Sequence, residues 1–404
     1  MKKIPLHWQI LIALVLAIFY GLYMSETAVS YVSWMGDVFL RALKMLIIPL
    51  IVSSLISGIA NIGSGSNLGR LGLKTISYYI TTSILAIVTG QVLVNIIKPG
   101  IGADLRFSQK VEGLVENQRS LGDTLIEMVP ENIFQAFNNN DMLAIIFFAV
   151  LFGFFVTRAG EENRNIMKKA FNAIFDVMMK ITMFVIRFTP FGIFGIVAKV
   201  VSEQDDLADL ASRMGLYMGT VILALAIHFF VTLPLILRFI GKVKVFRHMK
   251  NMSTPLLTAF STSSSGATLP LTINAVENNS GVSNKISSFT LPLGATINMD
   301  GTALYECVAA IFIAQAYGVE LTLVQQGVIV LTALLASIGA AAIPMAGLVM
   351  ITVILTAIGL PLEGVGLILA VDRILDMFRT CTNVWSDSCG AVIIAKSEGE
   401  TLSV

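Results

Sequence analysis

Long stretches without charged residues divide the chain into candidate membrane spans. A helix that crosses a bilayer needs about 20 mostly apolar residues, and five charge-free stretches approach or exceed this length. They predict spans 1, 2, 3, 4 and 6, at Ile4–Ser25, Met45–Gly69, Thr75–Ile97, Met142–Thr157 and Met214–Leu237.

Span 5 is predicted at Ala170–Val200, although this segment contains Asp176, Lys180 and Arg187. Charges are costly at bilayer depth, so we expect this span to pack against protein over part of its length. Pro190 lacks the backbone N–H that a continuous helix needs. We therefore expect a kink near Pro190.

The last third of the chain contains two charge-free segments that polar clusters interrupt. Leu321–Leu362 has 42 residues, which as one helix would reach about 63 Å, twice the hydrocarbon thickness. It must fold back, and the cluster Ser337–Pro344 marks the bend. Asn251–Val276 has a similar cluster at Ser263–Pro270, with the same order of Ser, Gly-Ala and Pro.

Each of these two hairpins is followed by a helix that carries polar residues, at Lys285–Tyr317 and Glu363–Ala395. Irregular backbone at bilayer depth survives only where protein or a water-filled cavity satisfies it. Repeated, interrupted spans of this kind mark the substrate site of transporters near the middle of the membrane.

Composition supports a membrane protein. Of the 404 residues, 55% are hydrophobic and only 13% are charged, against about 25% in soluble domains. A net charge of +1 argues against nucleic acid as a partner, because phosphate binding needs clustered Lys and Arg. Basic residues concentrate at the N-terminus, in Arg158–Lys169 and in Arg238–Lys250, so the positive-inside rule places both termini in the cytoplasm of a multi-pass cell-membrane protein.

One face of the last span carries the chemistry. At about 100° per residue its polar side chains share a sector of about 100°, and they are Asp372, Asp376, Arg379, Thr380, Asn383 and Asp387. Charged groups at this depth normally face a pathway or one another. The alternative is internal pairing of Asp376 with Arg379 and of Asp372 with Arg373, which would only hold the bundle together.

The preceding span supplies hard oxygen ligands in Asn298-Met299-Asp300-Gly301-Thr302. Together with Asp387, the side chains of Asn298 and Asp300 suit Na⁺, and the end of a broken helix adds carbonyl oxygens. Transition metals are disfavoured because His7, His228 and His248 lie away from Cys and acid clusters. We interpret His228 as a buried, hydrogen-bonded helix residue.

Three side chains suggest the ligand and a second coupled ion. Arg379 offers a planar fork for a carboxylate, and Asp376 can hold an ammonium group, so the ligand would be an acidic amino acid. Glu306 lies four residues after Thr302 and has no basic partner in its own segment, which makes it a candidate proton carrier. Alternatively, Glu306 pairs with a Lys or Arg of another helix.

The chain resembles the dicarboxylate/amino acid:cation symporter family, the glutamate and aspartate transporters. The resemblance covers nearly the whole chain and is carried by Ser263–Pro270, Asn298–Thr302, Ser337–Pro344 and Asp376 through Asp387. It implies an all-α membrane fold of eight transmembrane helices and two re-entrant hairpins in inverted repeats, a homotrimer, and an elevator mechanism.

The resemblance also implies a division of the chain. Residues 1–74 would form scaffold helices 1 and 2, and residues 100–211 the long external loop with scaffold helices 4 and 5. The moving part would be helix 3, residues 75–99, together with helix 6, hairpin 1, helix 7, hairpin 2 and helix 8 in residues 212–404.

Site residues follow from the same resemblance, position by position. The side chains that contact the substrate would be those of Arg379, Asp376, Thr380, Asn383, Thr302, Ser264 and Ser265. The backbone from Ser337 to Gly339 would also contact it. One sodium site would use Asp387, Asn383, Asn298 and Gly294. A second would use Tyr79, Thr82, Ser83, Asn298 and Asp300, and a third the backbone of Thr296, Met299, Ser337 and Ile338.

Some positions depart from the family's pattern. Microbial aspartate transporters typically have Gln where this chain has Glu306, whereas eukaryotic glutamate carriers have a Glu that takes a proton and helps to exchange it for K⁺. That makes K⁺ a candidate counter-ion. Trp385-Ser386 replaces the small residue and Gly that usually precede the position of Asp387.

The sequence therefore predicts a secondary symporter, not an enzyme, that takes up L-glutamate or L-aspartate with Na⁺ and H⁺. A carrier driven by protons alone, for these amino acids or for C4-dicarboxylates, is the alternative. A hydrolase using Ser263–Ser265 is disfavoured, because no His or Lys is placed to activate those serines.

Overall fold

The computed structural model describes residues 6–61, 66–102, 126, 128–202, 207–339 and 346–404, and these residues form helices and short connections without a strand. The predicted all-α class is confirmed. The helices of the first half are α1 (Leu6–Tyr23), α2 (Glu26–Asn61), α3 (Ser66–Ile97), α4 (Ile133–Asn139), α5 (Met142–Arg158), α6 (Glu161–Ile186), α7 (Thr189–Ser202) and α8 (Leu207–Ile227).

The end of α8 continues into two π-helical turns, His228–Thr232 and Leu237–Gly241, separated by one α-helical turn at Leu233–Ile236. The helices that follow are α9 (Val245–Asn251), α10 (Ser253–Thr262), α11 (Ser265–Asn274), α12 (Asn284–Ile297), α13 (Asp300–Ala316), α14 (Leu323–Gly339), α15 (Ala346–Ala357) and α16 (Val365–Ser397).

Four helical stretches of the described residues are long and apolar enough to cross a membrane: Thr27–Ala60, Arg70–Ile97, Ala211–Gly241 and Asn284–Ala316. The pair α6 and α7 would make a fifth, bent by 51° where α6 ends and α7 begins. Pro190 is the second residue of α7, so the kink that the sequence predicts is present.

Span 2 is longer than its charge-free stretch. The sequence predicts a start at Met45, whereas α2 begins at Glu26 and includes Arg41 and Lys44. Both cations lie on an exposed side of the helix. The helix extends beyond the charge-free stretch at its N-terminal end, because a partly exposed helix can carry charge on one face.

The helices pack in two groups. In the first, α7 packs on α1 and α2, and α2 also contacts α5 and α6. In the second, α13 packs on α3, α14 and α16, and α16 contacts α10 and α12. The predicted site residues that the structure describes lie on helices of the second group, in the break between α12 and α13, or at the start of α11, which packs on α12 and α16.

Between α12 and α13 the helix is interrupted at the site's centre. Asn298 and Met299 have non-helical backbone angles, with φ of −96° and −111°, and α13 resumes at Asp300. The N–H of Gly301 donates to Asn383 Oδ1 at 2.7 Å instead of continuing the helical ladder. This break leaves carbonyl oxygens at the end of α12 without helical partners.

In the first hairpin, the bend falls inside the predicted cluster. Helix α10 ends at Thr262, Ser263 has a left-handed φ of 51°, and Ser264 caps α11 by accepting from the N–H of Ala267. The second predicted bend, Ser337–Pro344, lies largely outside the described residues, which resume at residue 346.

The residues after α16 tie the ends of several helices together. Glu398 accepts from Arg70 at 2.5 Å and from Lys74 at 2.6 Å, both near the start of α3. Glu400 accepts from the N–H of Ser283 at 3.0 Å, at the start of α12. This tail thus joins α3, α12 and α16 at one end of the bundle.

Replacing Glu398 with Gln should remove a pH-dependent contribution to stability. Hydrogen bonds from Lys74 and Arg70 lower the pKa of Glu398. A carboxylate with a lowered folded-state pKa stabilises the fold above its unfolded-state pKa of about 4.3, and the contribution is lost as the pH falls through the folded-state value. Thermal unfolding of the purified protein should show a lower midpoint for Glu398→Gln at pH 7, with the difference shrinking below about pH 5.

Glu320→Gln is the control, since Glu320 is an exposed carboxylate at a different loop. A difference between wild type and Glu398→Gln that does not change with pH would contradict the role of the ion pairs.

Candidate functional site

Asp300, the first residue of α13, is the centre of a buried polar cluster. Its Oδ1 accepts from Ser83 at 2.6 Å and from Thr82 at 3.3 Å, both on α3. Its Oδ2 accepts from Ser386 of α16 at 2.6 Å and lies 3.1 Å from Nε2 of His228. Three helices therefore converge on one carboxylate that has no exposed surface.

A second buried carboxylate, Asp387, lies beside the end of α12. Its Oδ1 accepts from Asn298 Nδ2 at 2.9 Å. A Cβ added at Gly294 would lie 2.5 Å from Asp387 Oδ1 and 2.7 Å from the hydroxyl of Tyr79. The absence of a side chain at Gly294 is thus what admits both oxygen atoms.

The structure brings together most of the residues assigned to the first two sodium sites. Among the described residues, no Lys or Arg forms an ion pair with Asp300 or Asp387. Asp300 contacts three hydroxyl groups and Nε2 of His228, and Asp387 contacts the Asn298 amide; the described residues contain no group of three or more His, Cys, Asp and Glu that could hold a metal ion. The donor set therefore suits a hard monovalent cation better than a transition metal.

Two residues assigned as sodium ligands, Tyr79 and Asn383, form hydrogen bonds with other groups in the structure. The hydroxyl of Tyr79 donates to the carbonyl of Thr290 at 2.7 Å and lies on the Asp387 side of the cluster. Asn383 accepts from the N–H of Gly301 and donates to Thr302 Oγ1 at 3.2 Å. Asn383 and Thr302 thus join α13 to α16 between the two ends of the site.

Arg379 is the largest charged group in the interior and is 1% exposed. Its Nη2 lies 2.8 Å from Asp376 Oδ1 and 3.0 Å from Asp372 Oδ1. Its Cζ lies 3.9 Å from the centre of the Tyr305 ring, and the Tyr305 hydroxyl donates to Asp372 at 2.7 Å. Stacking and pairing fix the plane of the guanidinium.

The pairing differs from the alternative that the sequence suggested. Asp376 does pair with Arg379, but Asp372 also pairs with Arg379, not with Arg373. Adjacent residues of a helix point about 100° apart, so Asp372 and Arg373 face different directions. Arg373 lies 3.8 Å from Asp376 instead.

Arg379 keeps unused hydrogen-bonding capacity. Its Nε and Nη1 atoms are buried and have no hydrogen-bond partner among the described residues. Leaving buried donors of a charged group unsatisfied costs more than about 1–3 kcal/mol each. This free edge of the guanidinium faces Gly347 of α15, where an added Cβ would lie 2.1 Å from Nη1, and its unpaired N–H groups are donors of the kind that bind a carboxylate.

Glu306 lies fully buried in α13, and neither of its carboxyl oxygens has a hydrogen-bond partner in the described part of the chain. The alternative of an ion pair with a cation of another helix has no support from these contacts. An unpartnered buried carboxyl is an expected feature of a group that holds a proton.

The remaining predicted ligands lie at helix ends, except for Thr380 in the middle of α16. Thr380 is buried beside Arg379 on α16, and Ser264 and Ser265 begin α11. Thr296 lies in the last turn of α12 and Met299 in the break. Ser337 is buried near the end of α14, where its hydroxyl donates to the carbonyl of Leu334. Ile338 and Gly339 close α14, and only their helical backbone is described.

Sequence reasoning missed three residues of the site. Tyr305 carried no signal, because single hydroxyl residues are common in apolar helices. Ser386 was noted as a departure from the family's pattern, but not as a contact of Asp300. His228 was recognised as buried and hydrogen-bonded, but not as a neighbour of Asp300. It is the one residue among Asp, Glu, Lys, Arg and His in the stretch Met214–Leu237, and such a group in an otherwise apolar span is a site hypothesis by default.

Apolar helices of spanning length enclose a buried arginine and four buried carboxyl groups, those of Asp300, Glu306, Asp372 and Asp387. This combination is typical of a membrane transport protein. Residues 6–397 match the model of the sodium:dicarboxylate symporter family, and the chain belongs to this family. It is a family of symporters, not of enzymes.

Three relatives illustrate the match. An excitatory amino acid transporter of Caenorhabditis elegans is 40% identical, with 93% of this chain and 83% of the relative covered. A proton/sodium-glutamate symport protein of Geobacillus stearothermophilus is 36% identical, with coverages of 99% and 96%. Excitatory amino acid transporter 3 of Mus musculus is 37% identical, with coverages of 96% and 85%.

Adding a methyl group at Gly294 should destabilise the protein. The new Cβ would lie 2.5 Å from Asp387 Oδ1, so the polar cluster would have to shift. Overpacking of this kind costs about 1–3 kcal/mol, which a lower midpoint of thermal unfolding for Gly294→Ala would reveal. Gly215→Ala in α8 is the control, because a Cβ there meets no atom within 4 Å. Equal midpoints for the two variants would contradict the close packing around Asp387.

Proposed function

We propose that this protein is a secondary active symporter that takes up acidic amino acids, L-glutamate or L-aspartate, together with Na⁺ and H⁺ across a cell membrane. The observation that carries this proposal is the buried Arg379, which keeps two unpartnered nitrogens while Asp376 lies beside it. The names of the relatives, which include glutamate symport with protons and sodium, support the same substrate and ions.

Arg379 and Asp376 would divide the substrate between them. The free edge of the guanidinium would bind the side-chain carboxylate, and Asp376 would bind the ammonium group. Thr380, Asn383 and Thr302 would add hydrogen bonds to the substrate. Ser264 and Ser265 at the start of α11, with the backbone of Ser337–Gly339, would hold the other carboxylate.

Sodium would be carried at the two oxygen-rich clusters and at the end of α12. Asp387, Asn383, Asn298 and Gly294 would form one site. The cluster of Asp300 with Tyr79, Thr82, Ser83 and Asn298 would form another. The backbone of Thr296 and Met299 would meet that of Ser337 and Ile338 at the third. Asp300 and Asp387 are buried and have no Lys or Arg partner in the part of the chain that the structure describes, which supports this assignment because bare charge in an apolar interior is costly.

Glu306 would carry the proton. Its carboxyl group is fully buried and has no partner among the described residues, so it is far more stable there in its neutral form. K⁺ would be the counter-ion that returns with the emptied carrier.

The homotrimer and the elevator motion also belong to this proposal. Asp176, Lys180 and Arg187 lie exposed along α6 in the isolated chain, where lipid contact would cost about 2.5–3.5 kcal/mol for a charge at mid-membrane. A neighbouring copy of the chain that covers α6 removes this cost. The helices of residues 75–99 and 212–404 would then move as a unit past those of residues 1–74 and 100–211. The fold would have eight spans and two re-entrant hairpins, and both termini would lie in the cytoplasm.

Arg379→Ala should abolish uptake of acidic amino acids. Removing one member of a buried charge pair costs about 2–5 kcal/mol, and the substrate carboxylate would also lose the one guanidinium that is buried among the described residues. We expect uptake of radiolabelled L-glutamate and L-aspartate into liposomes to fall at least about 30-fold. A neutral amino acid should still be able to bind. Arg238→Ala, at an exposed site, is the control, and normal aspartate uptake by Arg379→Ala would sink the proposal.

Glu306→Gln should remove the dependence of transport on pH while leaving its dependence on Na⁺. Glutamine keeps the size of a protonated glutamate but cannot release a proton. Uptake into liposomes is measured with a Na⁺ gradient and a pH gradient imposed separately, for wild type, Glu306→Gln and the exposed control Glu320→Gln.

Uptake driven by the pH gradient alone, without Na⁺, would instead favour the proton-only alternative.

Unlabelled succinate tests the C4-dicarboxylate alternative in the same vesicles. Succinate has no ammonium group to pair with Asp376, so it should compete poorly with labelled aspartate. Strong competition by succinate would contradict the assignment of Asp376 to the ammonium.

A further inference from the structure

Ser386 stands between the two buried carboxylates of the site. It precedes Asp387 on α16 and is 0% exposed, at a position where the family resemblance expects Gly. Its hydroxyl donates to Asp300 Oδ2 at 2.6 Å and accepts from Asn298 Nδ2 at 3.0 Å. Neither bond can form at a glycine.

These bonds make one continuous network. Asn298 Nδ2 is shared between Ser386 Oγ and Asp387 Oδ1, and Ser386 passes the connection on to Asp300. The other oxygen of Asp300 is held by Ser83 and Thr82 of α3. The orientation of the Asp300 carboxylate is therefore linked through the Ser386 hydroxyl to the Asn298 amide that contacts Asp387. The Thr82 hydroxyl makes a second and longer link, at 3.3 Å from Asp300 Oδ1 and 3.4 Å from Asn298 Oδ1.

The hydroxyl of Ser386 does not make the local bond that buried helical serines and threonines of this chain commonly make. Ser388 donates to the carbonyl of Trp385 at 2.8 Å, and Thr382 donates to that of Phe378 at 2.9 Å. Such bonds stay within one helix. Ser386 instead reaches across to α13, which sets it apart from a hydroxyl that serves only its own helix.

We propose that Ser386 is a positioning residue that couples the two carboxylate sites, so that a cation bound at one strengthens binding at the other. When a cation binds at Asp387, the Asn298 amide rotates. The hydrogen bond that Ser386 donates then passes this rotation on to the Asp300 carboxylate. His228, on the same oxygen of Asp300, limits the rotation of that carboxylate. This inference rests on the proposed coupling to Na⁺.

The test measures Na⁺ binding without transport. Purified protein is unfolded thermally while NaCl replaces choline chloride at constant ionic strength, and the rise of the midpoint with Na⁺ gives the half-saturating concentration and the steepness of binding. The variants are Ser386→Ala and Ser386→Gly, the latter restoring the residue that the family resemblance expects. Ser388→Ala is the matched control, a buried serine of the same helix without contact to Asp300.

Both variants of Ser386 should raise the half-saturating Na⁺ concentration about tenfold, as expected for a lost hydrogen bond to a charged group, and should bind Na⁺ less steeply. Their midpoints in choline should also fall, because Asp300 loses the same hydrogen bond there, so the decisive readout is the Na⁺ dependence, in which Ser388→Ala should match wild type. Coupling by Ser386 is ruled out if both variants keep the wild-type half-saturating concentration and steepness. It is also ruled out if the half-saturating concentration changes while the steepness of Na⁺ binding stays that of wild type.

A lower midpoint in choline with unchanged Na⁺ dependence would assign Ser386 a structural role and also overturn the inference. Failure of the underlying function looks different, because wild type itself would then show no response of its midpoint to Na⁺. Ser386→Gly keeps the test decisive if Ser386→Ala does not fold.

Discussion

The structure depends on a guanidinium group buried inside an apolar helix bundle. Arg379 holds two carboxylates through one nitrogen and stacks on Tyr305. The positive charge of the guanidinium is therefore paired, and the plane of the group is fixed, before any ligand binds. An unpaired charge there would cost several kcal/mol. Because Asp372, Asp376 and Arg379 share α16 while Tyr305 belongs to α13, the ion cluster also fixes how these two helices face each other.

That pairing requires a very close approach of the helices. A Cβ at Gly301 would lie 2.6 Å from the carbonyl oxygen of Arg379, and one at Gly90 would lie 2.8 Å from Val308. Small residues thus let α16 and α3 pack directly on α13, as is common in membranes, where packing and hydrogen bonds rather than apolar burial drive helix association. The same closeness allows Ser83, Ser386 and Asn383 to reach the broken turn at residues 298–301.

The sequence alone was enough to predict the all-α class, the kink near Pro190 and the bend at Ser263, because each depends on local chemistry. The polar face of α16 also followed from helical periodicity. Partners across helices could not be predicted. Periodicity shows that Asp372 and Arg379 lie two turns apart on one face, but only packing against Tyr305 brings them together. His228 likewise meets Asp300 through tertiary structure, since 72 positions separate them. The start of α2 was missed because exposed charges on one face do not end a helix.

Charge balance gives a physical reason for ion coupling in such a site. Asp372, Asp376 and Arg379 together carry one net negative charge, and an acidic amino acid, with two carboxylates and one ammonium, adds another. Asp300 and Asp387 lie nearby without a Lys or Arg partner among the described residues. An apolar bundle disfavours net charge strongly, so anionic substrate would bind there only together with cations. In the proposed function, Na⁺ at these carboxylates and a proton on Glu306 would bring the loaded site close to neutral, and this electrostatic requirement would couple the ions to the substrate.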